Sequence, residues 1–69
     1  MSEKEFLKMV GSKIRKARLT QRISMEKLAG KSGITFSCLS QIENGHTNFR
    51  ICTVRAVAET LNVDLKELL

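Results

Sequence analysis

The sequence predicts an all-α domain of five helices, and three observations carry that expectation. It contains no proline, it shows little of the β-branched alternation that marks strands, and its apolar residues recur at spacings of three and four. With 69 residues the chain forms one small domain that buries only about 60% of its unfolded surface. That argues against a deep substrate cleft or a large cofactor cavity, and so against most enzyme classes.

The first helix is expected from about Lys4 to Leu19, with Phe6, Val10, Ile14 and Ala17 on one stripe and Lys13, Arg15, Lys16 and Arg18 around the rest. Ser24 is a good N-cap, so the second helix starts at Met25 and runs through Leu28 and Ala29, with Glu26 in its first turn. Gly30-Lys31-Ser32-Gly33 reads as a tight turn, because Gly33 can take the left-handed conformation that ends a helix. Thr35 caps a third helix from Phe36 to Asn44, with Leu39 and Ile42 facing inward and Asn44-Gly45 as its stop. After a polar connector, Ile51, Val54, Val57, Ala58 and Leu61 mark the fourth helix, and Asn62 closes it. Asp64 caps a short fifth helix carrying Leu65, Leu68 and Leu69. Loops are short and no repeat or linker is visible, so residues 1–69 are one domain.

Charge divides the chain. Residues 1–33 carry nine Lys and Arg against three acidic residues, whereas residues 34–69 carry three against four, and the whole has a net charge of +5. A polyanionic partner, nucleic acid or an acidic membrane surface, fits such a field; a merely solvated basic face fits it as well. The three Phe are the only aromatic residues, which removes the stacking platforms used for single strands. No apolar run approaches a membrane span and the first residues lack a secretory core, so a cytoplasmic protein with no membrane partner is expected. Cys38 and Cys52 are too few for a disulfide scaffold, and with His46 they lack the paired spacing of a zinc site. No nucleophile, base and acid constellation and no Gly-rich phosphate loop is present; no catalysis, metal, cofactor or small-molecule substrate is expected.

Residues Ser24 to Asn44 have the pattern of a helix-turn-helix: a helix, a short turn containing Gly, and a second helix with a polar outer face. Phe36, Ser37, Ser40 and Gln41 fall on that face, near the N-terminus of the third helix, where side chains can reach base edges in a major groove. Gln41 is the best candidate reader, because its amide can pair bidentately with adenine.

The strings Ile14-Arg15-Lys16-Ala17-Arg18, Ile23 to Ala29, Gly33-Ile34-Thr35, Leu39-Ser40-Gln41-Ile42-Glu43-Asn44-Gly45 and Leu61 to Leu69 resemble the phage Cro and repressor type of helix-turn-helix regulators, the XRE family. The resemblance implies a lambda-repressor-like five-helix domain that binds double-stranded DNA as a transcriptional regulator, with no enzymatic activity. It implies a structural pair between Arg18 and Glu43, and phosphate contacts from Ser24, Met25, Thr35, Asn44, His46 and Asn48. It also implies a homodimer on a roughly palindromic operator. Phe49, Val63, Leu65, Leu68 and Leu69, unusually apolar for the end of so small a chain, are the expected interface. Met25 stands where the family favours Gln, and Phe36 replaces a usual polar reader; its ring can touch a thymine methyl or pack against the turn. An antitoxin-like module that masks a protein partner, with DNA binding secondary, is the alternative expectation.

Overall fold

The computed structural model describes all 69 residues and contains five helices: α1 (Glu3–Thr20), α2 (Met25–Ser32), α3 (Phe36–Glu43), α4 (Ile51–Leu61) and α5 (Leu65–Leu68). Three of the starts are set by side chains. The hydroxyls of Ser2, Ser24 and Thr35 accept the backbone N–H of Glu5, Lys27 and Cys38, satisfying donors that the first turn leaves unpaired. Glu5 returns the bond by accepting from the Ser2 N–H, and Glu67 accepts from the Asp64 N–H at the start of α5. Arg50 precedes α4 without a side-chain cap.

The ends of the first four helices share one device. Arg22, Gly33, Gly45 and Asn62 have φ values of 56°, 75°, 70° and 58°. After each, the next residue's N–H reaches back along the chain past the helix end: Ile23 to Arg18, Ile34 to Ala29, His46 to Gln41 and Val63 to Ala58, all at 3.0–3.1 Å. These are Schellman closures, which reverse the chain while satisfying the last carbonyls. Ile23, Ile34 and Val63 then pack against the core.

The boundaries differ from expectation at four ends, by one residue where α1 starts at Glu3 and α3 stops at Glu43. α1 continues to Thr20, and α2 runs through Gly30 to Ser32 instead of turning there. A mid-helix glycine costs about 1 kcal/mol, too little to break a helix whose stop signal is the left-handed Gly33.

α1 packs against α3, α4 and α5, α2 against α3 and α4, and α4 against α5. Between them lie Val10, Ile14, Leu28, Leu39, Val54, Val57, Leu61 and their neighbours, all fully or nearly fully buried. Leu68 belongs to this core at 2% exposure. Its expected place on a dimer face is therefore corrected: α5 folds back onto α1 and α4 and spends that side chain inside the monomer.

Candidate nucleic-acid interface

The core side of α3 is fixed by Leu39, Ile42 and Glu43, which are buried, so a 3.6-residue period turns Ser37 and Gln41 outward. Both are exposed, Phe36 retains 48% exposure beside them, and Ser40 is half-buried at the edge of the same face. The four residues expected to read bases thus share one surface at the N-terminal and middle part of the helix. Asn44 lies one turn on, its Nδ2 donating to the Ser40 carbonyl at 2.9 Å.

Around this face lie the positions expected to meet phosphates. The hydroxyls of Ser24 and Thr35 use their oxygens as caps and keep their O–H free to donate outward. His46 and Asn48 are exposed on the connector after α3. Met25 is different: its side chain packs against the core, so only its backbone N–H, at the first turn of α2, is left for an anion. α3 carries no acidic residue in its first turn, which leaves the positive end of its dipole uncompensated.

The face is held rigidly. Arg18 Nε donates to Glu43 Oε2 at 2.8 Å and its Nη2 to Oε1 at 3.2 Å, a two-point clamp between α1 and the last residue of α3. Nη1 donates to the Ile23 carbonyl at 3.0 Å, which ties in the segment leading to α2. Both side chains are nearly buried, at 11% and 4% exposure, so this is no solvated surface pair. Gly11 completes the joint: a Cβ there would meet the backbone carbonyls of Ile42 and Glu43, the latter at 2.6 Å. Sequence patterning assigned Gly11 no role. Its signal was present all the same, as a glycine one turn before Ile14 on the apolar stripe.

A helix-turn-helix family model matches residues 14–68. The chain belongs to the helix-turn-helix family of XRE type. It is 43% identical over 61 residues, 87% of its length, to the HTH-type transcriptional regulator SlrR of Bacillus subtilis, and it spans 40% of the length of that relative. Among solved structures it is similar to the restriction-modification controller protein C.AhdI from Aeromonas hydrophila, with a TM-score of 0.94, 26% identity and full coverage of both chains. A helix-turn-helix family transcriptional regulator from Vibrio cholerae has the same fold, with a TM-score of 0.91 at 21% identity, over 97% of this chain and 38% of that one.

Phe49, Val63, Leu65 and Leu69 are half-buried against the core. Phe49 also meets Phe6 of α1, with ring centroids 6.4 Å apart. Ile51, which shares the helical spacing of Val54, Val57 and Leu61, is a large apolar side chain at the start of α4 left at 52% exposure. No helix is long and apolar enough to cross a membrane. Cys38 is half-buried on α3 and Cys52 exposed on α4.

Proposed function

We propose that this helix-turn-helix chain is a sequence-specific transcriptional regulator that binds double-stranded DNA as a homodimer, with α3 in the major groove of each half of a roughly palindromic operator. The observation that carries the reading is the exposed face of Ser37, Gln41 and Phe36 on a helix clamped to α1 by Arg18 and Glu43. A reader must hold its side chains within about half an ångström of productive geometry, and a buried ion pair beside a close glycine joint supplies that rigidity. In this reading Phe36, Ser37, Ser40 and Gln41 meet bases. Ser24, Thr35, Asn44, His46, Asn48 and the Met25 N–H hold the phosphates on either side.

Phe49, Val63, Leu65 and Leu69, with the exposed Ile51 added and Leu68 removed, form the dimer face. A two-fold through it sets two recognition helices one DNA turn, about 34 Å, apart. The likeness to a restriction-modification controller supports the regulator reading, in which the chain acts in the cytoplasm without a cofactor.

Selection of duplex sites from a random library at near-physiological salt, with the bound species sized alongside, tests this. A two-half-site motif bound by two chains is the expected result. Binding without sequence preference, lost at moderate salt, defeats the reading in favour of a protein-masking role.

A further inference from the structure

α1 carries its lysines on two sides. Lys13 and Lys16 border a shallow cleft against the α5 end, shared with Val63, Glu67 and Leu68. Lys4 and Lys8 lie elsewhere. Gly45, the left-handed residue that ends α3, sits so close to Lys8 that a Cβ would stand 2.7 Å from its Cγ and 2.9 Å from its Cα. Lys4 shares a surface depression with Gly45, His46, Thr47 and Asn48. The two lysines are one turn apart, on the same side of α1 as Gly11, which meets the C-terminal end of α3.

We propose that Lys4 and Lys8 extend the nucleic-acid interface beyond the helix-turn-helix unit, neutralising two backbone phosphates next to those held by the His46–Asn48 connector. Lys13 and Lys16, on the α5 side, take no direct part. This rests on the DNA-binding reading above. Both side chains are exposed and free of salt bridges, so their ammonium groups can reach outward on flexible stems. Glu3 lines the same depression and opposes the field. Glu5 is occupied by its bond from the Ser2 N–H. Phosphate contacts of this kind carry no sequence information, and their signature is the salt dependence of binding.

The test measures affinity of the whole chain against salt concentration, on the duplex enriched by site selection and on a random-sequence duplex. Lys4→Gln with Lys8→Gln removes charge but keeps the aliphatic stem that packs on Gly45. This pair should reduce the slope of log affinity against log salt by about 1.8 per bound chain, or about 0.9 for each phosphate no longer neutralised. The weakening should be equal on both duplexes, with sequence preference unchanged. Lys13→Gln with Lys16→Gln should change the slope by less than half as much, and Glu3→Gln should tighten binding to both duplexes. Equal reductions of slope in the two double variants, or an unchanged slope in the first, overturns the proposal. A native chain that binds neither duplex defeats the DNA-binding reading itself, before any variant is made.

Discussion

Gly11 of α1 lies against the carbonyl oxygen of Ile42, with the Glu43 carbonyl beside it, so the two helix backbones touch without side chains between them. In an exposed helix, replacing glycine by alanine stabilises by about 1 kcal/mol. Here the sign reverses, because the neighbours are backbone atoms that cannot rotate away. Gly11→Ala should destabilise the fold by about 1–3 kcal/mol, as overpacking of a tight joint does. Urea denaturation checks it, and a more stable variant would show that the helices can part without cost.

Glu43→Ala should be costlier, because it leaves the nearly buried Arg18 guanidinium with only its bond to the Ile23 carbonyl. Breaking a buried pair from one side costs about 3–5 kcal/mol. Replacing both partners by apolar residues, Arg18→Met with Glu43→Leu, should recover much of that stability. A double-mutant cycle in thermal denaturation measures the coupling.

Arg22 holds a φ of 56° with an ordinary side chain. That conformation costs a non-glycine residue roughly 1–2 kcal/mol, and glycine returns part of the gain through the entropy of its unfolded chain. Arg22→Gly should therefore raise stability by about 0.5–1 kcal/mol, seen as a rise in Tm of about 4 °C for a domain of this size.

Gln41 is exposed on α3 with no hydrogen bond from its side chain to any other part of the chain, so its amide is available for a base. Gln41→Ala should remove about 1–3 kcal/mol of discrimination at one base pair of each half-site. Site selection with the variant should return the same motif with that position relaxed. An unaltered motif would assign the reading to other residues.

The Ser2 backbone N–H and then its hydroxyl hold the Glu5 carboxyl below the usual carboxylate range. A depressed pKa in the folded state contributes stability that is fully present above the unfolded value and is lost as pH falls through the lowered folded one. The first turn of α1 should accordingly loosen only in acid. Ser2→Ala should move the Glu5 titration upward, as followed by NMR.

Three helix starts were legible because they are written in single residues: Ser24, Thr35 and Asp64 stand where α2, α3 and α5 begin, whereas α4 follows an uncapped Arg50. Ends were legible only where a residue suited to positive φ marks them. Gly33, Gly45 and Asn62 gave their positions away, whereas Arg22 carries no such mark, and Gly30 mimics one while staying helical. The outer face of α3 followed from the period of Leu39 and Ile42. Lys8 did not stand out, and Gly11 carried only the mark of a glycine on the apolar stripe, since what fixes both roles is a neighbour more than thirty positions away. Leu68 was misplaced for a related reason. Periodicity shows that a residue wants an apolar neighbour, and it cannot say whether that neighbour lies within the same chain.

Of the four Schellman closures, three are followed by an aliphatic residue that anchors the departing chain to the core, and the fourth, at Gly45, is followed by the exposed His46. The domain is thus fastened at every corner but one. Local opening begins where apolar anchorage is least, so the stretch from His46 to Asn48, before Phe49 packs on Phe6, is the segment best able to shift against an uneven sugar-phosphate path. The reading helix, held from behind by α1, need not follow it. A protein built this way can tolerate bent or widened duplexes at its rim while remaining strict about sequence at its centre.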